Sequence, residues 1–268
     1  MENSYPSRQP YGAPQTAAGI LARSAQSNTN QNTSLFQNYY RRHQASQNYY
    51  GHNQNSFKTY GNQWRGSYQT ANKTPQVRTP KVPHQRVLNG VTYEIRQGSI
   101  TDYEGDAIVN AANEQGLGGG GVDGAITSAG GQELAKARSK LEPIWSNVRI
   151  RTGDARATIA GNLKCKYVIH AVGPNLSHPK ATLNELKAAY TSAIAEAYMY
   201  DVNNIAFPII SGGVFSGNYP LQKIIQTAFE ALNGREGSVK TIVFYGFKAE
   251  EVSLLVGQLD SITGSWSQ

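Results

Sequence analysis

Residues 109–126 read VNAANEQGLGGGGVDGAI, with an amide, Asn113, and a carboxylate, Asp123, on either side of a glycine-rich run. Glycine has no Cβ, so an anion can approach its backbone N–H groups closely. A helix starting near Val122 would point its first unpaired N–H groups and the positive end of its dipole at the same anion. A carboxylate held beside the bound molecule could orient water or accept hydrogen bonds. The stretch SGGVFSG at 211–217 repeats the device, and two such loops suit a diphosphate better than a monophosphate. Glycines that only make tight turns, an Asn113 that only shapes a turn and an Asp123 that only favours a helix N-terminus are the alternatives.

Two familiar phosphate motifs fail. Gly116 to Gly121 spells G-x-G-x-x-G, but a dinucleotide-binding turn needs its first glycine close behind a strand and an acid ending the next strand about 20 residues on. Here Gly116 comes six positions after Asn110, and helix-like sequence follows for some 20 residues. No Lys-Ser/Thr pair follows the glycines, which excludes a P-loop. Cys165 is the sole cysteine and lies between Lys164 and Lys166, which excludes an internal disulfide and a multi-Cys zinc site and reads as a strand-edge residue rather than a nucleophile. His170 falls inside an apolar run and His178 has no spaced partner, so no metal site is expected.

The elements that must hold these loops are legible. In RVLNGVTYEIRQG an Asn-Gly pair divides two apolar runs and predicts a hairpin. DAIVNA (106–111), YVIHAV (167–172), NIAFPII (204–210) and KTIVFYGF (240–247) read as buried strands. Leu183, Leu186, Tyr190, Ile194 and Ala197 recur at helical spacing, as do Ile224, Ile225, Ala228 and Leu232 after Pro220. Strands alternating with helices predict an α/β fold with a mixed central sheet and helices on both faces. Ligands of such sheets bind beyond the carboxyl ends of the strands, where both glycine segments fall.

Composition divides the 268 residues in two. Residues 1–83 hold nine Lys or Arg against one acid, a charge of +8, whereas 84–268 hold 16 basic and 17 acidic groups. The front part is rich in Asn, Gln, Ser and Tyr, repeats QNYY at 37 and 47, and has almost no Val, Ile or Leu. Without apolar burial to offset an ordering cost of roughly 1–2 kcal/mol per residue, it is expected to be a disordered basic tail ending in a proline-containing linker. Its tyrosines and arginines suit stacking on unpaired bases; a plain spacer and a sorting signal are the other readings. No apolar run marks a secretory signal or a membrane span. A soluble intracellular monomer is expected, with export through a non-classical signal in the tail left open.

The quoted segments, preceded by IRQGSITDYEGDAIV and followed by YVIHAVGP and FPIISGGVFSGNYP, resemble the macro domain family, which binds ADP-ribose and often hydrolyses its conjugates. The resemblance spans roughly 86–260 and implies a three-layer αβα sandwich, with the domain set at 84–268. It implies a diphosphate on the backbone of Gly119, Gly120, Gly121 and Val122 and of Gly212, Gly213, Val214 and Phe215, with Ser211 also among the ligand-binding residues. It also implies Asn113 on the distal ribose, Asp123 beside the reacting carbon, Phe215 against that ribose, and Phe247 on adenine near Ser99 and Ile100. A core role for either Phe is the alternative. Asp123 and Asn113 would be the catalytic pair, without cofactor or metal.

Three positions depart from the family. Ser99 stands where members commonly carry an Asp that accepts from the adenine amino group, with Asp102 as a substitute to test. Thr127 stands where many hydrolytic members have His. The second loop is longer by about two residues. The expected activity is hydrolysis of mono-ADP-ribose from acidic side chains, or deacylation of O-acetyl-ADP-ribose. The alternative is a non-catalytic reader whose tail contacts RNA or a partner protein.

Overall fold

The computed structural model describes residues 84–264; the tail assigned to 1–83 lies outside the described residues. The chain opens with β1 (His84–Leu88) and β2 (Val91–Gln97), followed by a 3-10 turn (Ile100–Asp102), β3 (Ala107–Ala111) and helix α1 (Gly121–Ser139). Next come β4 (Ala155–Ile159), β5 (Tyr167–Ala171), α2 (Leu183–Met199), β6 (Asn204–Phe207), α3 (Leu221–Leu232), β7 (Thr241–Gly246) and α4 (Ala249–Gly264). The seven strands form one sheet in the order β1-β2-β7-β6-β3-β5-β4. The inner neighbours pair in parallel, and β1 and β4 close the two edges antiparallel.

Side-chain alternation along the parallel strands builds a core on each face. Val109, Ile169, Ile205, Phe207, Ile242 and Phe244 pack with α2, α3 and α4 through residues such as Tyr190, Ile194, Ile225, Phe229 and Leu255. Their neighbours Ile108, Val168, Ala206 and Val243 face the other way, onto Ile126 and Leu134 of α1 and Ile100 of the 3-10 turn. The result is a three-layer α/β sandwich. Asn89 and Gly90 both adopt positive φ, 53° and 80°, which is the backbone a two-residue hairpin between Leu88 and Val91 requires. Thr182 caps α2 in a reciprocal pair with Glu185.

Strand ends differ from the apolar runs for a local reason. The run at 204–210 stops as a strand at Phe207, because Pro208 has no N–H to give to a ladder. Two elements lacked a sequence expectation, the short edge strand β4 and the terminal helix α4. No helix of the described residues is long and apolar enough to cross a membrane.

The helix-like stretch after the glycine run is in fact two helical pieces meeting at Gly131, whose φ of 65° and ψ of −159° are not helical. That region of backbone is essentially open only to glycine. The Gly130 carbonyl released at the break accepts from the Asn162 N–H at 3.0 Å, so the break is seated against the turn that follows β4. Substituting Gly131→Ala is expected to cost about 2–3 kcal/mol in urea unfolding. Gly234→Ala, also at positive φ (+71°) but with nothing within 4 Å of its added Cβ, should cost about 1 kcal/mol.

Candidate functional site

Beyond the carboxyl ends of β2, β3, β6 and β7 lies one cleft in two lobes of about 450 and 440 Å³. Gly121 and Val122 on one side and Gly212 and Gly213 on the other line both lobes and form the neck between them. The first lobe adds Asn113, Gly119, Gly120, Asp123, Ser211, Val214 and Phe215. The second adds Ser99, Ile100, Tyr245, Phe247 and Glu251. Asn113, Asp123, the two glycine loops, Ser99, Ile100, Phe215 and Phe247 thus all lie along this one cleft.

The glycine loop is shaped by Asn113. Its amide nitrogen donates to the Gly118 carbonyl at 2.9 Å and its amide oxygen accepts from the Gly116 N–H at 3.1 Å. Asn113 is therefore a loop-former as well as a lining residue, and the two readings of it coexist. Gly119 passes between Asn113 and Asp123, and a Cβ there would lie 3.2 Å from the Asn113 amide nitrogen and 3.1 Å from Asp123 Oδ2. Gly120 caps α1 without any side-chain hydrogen bond, leaving the first N–H groups of that helix directed at the neck. The opposite loop is tied down by Ser211, whose hydroxyl donates to the Pro174 carbonyl at 2.8 Å, and by the Leu176 N–H, which donates to the Phe215 carbonyl at 2.8 Å.

Asp123 is not an open carboxylate. Its residue is 2% exposed, and Arg138, fully buried, grips it with Nη1 at 2.5 Å from Oδ1 and Nη2 at 3.2 Å from Oδ2. The same guanidinium donates through Nε to the Gly116 carbonyl at 2.6 Å and through Nη1 to Thr127 Oγ1 at 2.7 Å. Fifteen residues of straight helix would separate Asp123 from Arg138 by about 22 Å, beyond any side chain's reach. The break at Gly131 turns the second piece back and brings them together. Arg138 was missed in the sequence, where a cation in a helix's last turn reads as a dipole partner; the Gly130-Gly131 pair was the available signal for a break. Thr127 also gains a place: it braces the ion pair.

The strands beneath continue the network. Asn110 and His170 are register partners on β3 and β5 and share the α1-facing side. Asn110 Nδ2 donates to Asp123 Oδ1 at 2.9 Å and to His170 Nδ1 at 3.1 Å. With Nδ1 accepting, the neutral ring carries its proton on Nε2, 3.0 Å from Thr158 Oγ1. Burial first, then the charge of Arg138, holds the imidazole well below its usual 6.5. Cys165 is half-buried, and burial pushes its thiol up to about 11, which leaves it a poor nucleophile at neutral pH. Asp102, the considered substitute acceptor, is exposed and does not line the cleft. Among the described residues no three His, Cys, Asp or Glu side chains gather to hold a metal ion.

The sequence profile described as Macro domain matches residues 109–228. A macro domain-containing protein of Vibrio parahaemolyticus is 41% identical over 161 residues, 59% of this chain and 91% of that protein. The chain belongs to the macro domain family. Among solved structures, the Oceanobacillus iheyensis macrodomain with ADP is similar to this macro domain at a TM-score of 0.63 and 30% identity, over 69% of this chain and 98% of that one. The Trypanosoma brucei macrodomain in complex with ADP-ribose is similar at 0.54 and 31%, over 62% and 68%.

Two outcomes follow from the buried network. Arg138→Ala strips Asp123 of its counter-charge inside the protein and should cost about 3–5 kcal/mol of unfolding free energy, whereas the double change Asp123→Leu with Arg138→Met should stay near wild type. Separately, His170 has a folded pKa below its unfolded one, so its contribution is complete above about pH 6.5 and is lost as pH falls towards the folded value. Stability measured between pH 6.5 and 5 should decline with a slope approaching about 1.4 kcal/mol per pH unit, and His170→Gln should flatten that limb.

Proposed function

We propose that the cleft binds ADP-ribose and that the protein hydrolyses the ester joining mono-ADP-ribose to acidic side chains, or the related ester of O-acetyl-ADP-ribose. The observation that carries this is the cleft's polarity. An apolar and aromatic lobe around Phe247 suits a base, a glycine-walled neck suits a diphosphate, and a polar end holding Asn113 and Asp123 suits a ribose. The complexes of the two similar macrodomains with ADP and ADP-ribose support that occupant. Backbone N–H groups of Gly119 to Val122, of Ser211 and of Gly213 to Phe215 then face the diphosphate, with the dipole of α1 adding to them, while that of Gly212 holds the loop through the Ile209 carbonyl at 3.1 Å. No cofactor is required.

In release from an acidic side chain, water adds to the anomeric carbon of the distal ribose as the bond to the acyl oxygen breaks, and the bond's electron pair leaves on a carboxylate; in deacylation of O-acetyl-ADP-ribose, water instead adds to the acetyl carbonyl carbon and the ribose oxygen leaves, taking up a proton from solvent. The water's surplus proton passes to solvent. A carboxylate leaves as a stable anion and needs no general acid, whereas a Ser or Arg linkage would need one. The first lobe offers none: its one ionisable side chain is Asp123, and both of its oxygens are taken up by the Arg138 guanidinium. Asp123 therefore contributes orientation, through one carboxylate edge and with Asn113 beside it, and the ligand's own phosphate helps align the water.

The burial of Asp123 also favours a second reading, in which the carboxylate only shapes the loop and the domain reads ADP-ribose without releasing it, leaving residues 1–83 to contact RNA or a partner protein. Release of ADP-ribose from a Glu-linked mono-ADP-ribosylated protein separates the two. Because Asp123→Ala alone would strand Arg138, the informative variant is Asp123→Leu with Arg138→Met, assayed for release and for ADP-ribose affinity. Hydrolysis by wild type that drops at least about 100-fold in a folded, ligand-binding double variant supports the enzyme. Binding by wild type without any release makes the domain a reader.

A further inference from the structure

The second lobe holds a carboxylate that sequence reasoning did not single out. Glu251 stands in the first turn of α4 and lines the lobe with Ser99, Ile100, Tyr245 and Phe247. Its Oε2 accepts from the Phe247 N–H at 2.7 Å and from the Lys248 N–H at 3.1 Å. Those two bonds fix the side chain and the backbone of Phe247 together. Its Oε1 makes no hydrogen bond among the described residues.

The other polar groups of the lobe are committed elsewhere. The Ser99 hydroxyl accepts from the Thr101 N–H at 3.3 Å and pairs with Thr101 Oγ1 at 2.6 Å, which spends it on the 3-10 turn. The Tyr245 hydroxyl accepts from Arg96 at 3.5 Å. Phe247 is 75% exposed at the end of a strand that is otherwise almost wholly buried, the placing of a ring that stacks on a flat partner rather than one that fills a core. The lobe therefore offers an aromatic platform, apolar walls from Ile100 and Ile209, and one ionised acceptor at its rim.

We infer that Glu251 is the base-selecting residue of this cleft: its Oε1 accepts a hydrogen bond from the exocyclic amino group of the purine stacked on Phe247. This rests on the cleft being an ADP-ribose site and adds the group that chooses the base. A carboxylate oxygen makes a stronger hydrogen bond to an amino group than a hydroxyl could supply. A purine without that amino group leaves the acceptor facing an unpaired edge and binds less tightly.

Glu251→Gln isolates the role. The glutamine oxygen can keep the Phe247 and Lys248 N–H bonds, and the NH2 group then replaces Oε1 as a donor facing the lobe. The probes are ADP-ribose and its purine-riboside analogue lacking the 6-amino group, titrated by calorimetry against the full chain. Wild type is expected to prefer ADP-ribose by about tenfold, and Glu251→Gln should bring the ratio close to one without moving the melting temperature. A merely structural Glu251 would weaken both ligands alike and leave the ratio intact, which overturns the inference, as does a wild type that binds both equally. Failure of wild type to bind ADP-ribose at all would instead overturn the functional reading beneath it.

Discussion

The buried ion pair between Asp123 and Arg138 is the interaction on which the rest of the site depends. It joins the first and last turns of α1, and it can form only because Gly131 breaks the helix and folds its second half back. The same guanidinium reaches the Gly116 carbonyl, so the start of the glycine loop, the helix N-terminus and the helix's returning end are clamped at one point. Burying two charges is costly, and such a pair adds little net stability beside a well-packed apolar replacement. Its value here is positional. It fixes where the loop's N–H groups point and which edge of the carboxylate faces the cleft.

The sheet supplies the floor for that clamp through strand parity. Ile108 and Val168 face α1, so Asn110 and His170, two residues further along each strand, face it as well. Asn110 hands one amide hydrogen to Asp123 and the other to His170, and its own oxygen is left buried without a partner. An unsatisfied buried acceptor is expensive. The arrangement holds because the reverse amide orientation would set oxygen against the Asp123 carboxylate, which is worse. A neutral His170 suits the position for the same reason: a second cation beside Arg138 would find no carboxylate to answer it.

Much of this could be read from the sequence, and the limits have physical causes. Four buried strands, the first hairpin and two helices were legible because their apolar periods are strong and local. Both glycine loops and the residues flanking them were legible because glycine runs beside strand ends leave few alternatives. The edge strand β4 escaped because ARATI is short, partly exposed and carries a charge. Helix α4 escaped although Val252, Leu255, Leu259 and Ile262 keep helical spacing against the core; that signal was present and could have been used. Arg138 and Glu251 were not legible in the same way. Each acts through a contact set by how a helix is placed, by a break in α1 that the Gly130-Gly131 pair signals and by the docking of α4, and the contact itself is not written in the residues around it.

The two carboxylates of the cleft share one property that narrows what the site can do. Asp123 is held by Arg138, and Glu251 is tied through one oxygen to two backbone N–H groups beside its helix. Both are thereby held in fixed positions by N–H donors, which suits accepting a hydrogen bond from a ligand. In the proposed complex, selectivity at one end and orientation at the other are what fixed carboxylates would deliver, with the neck's N–H groups facing a diphosphate between them. For the proposed release from acidic side chains, whose leaving group is already a stable anion, the electrostatics of the walls constrain the chemistry more tightly than the shape of the cavity does.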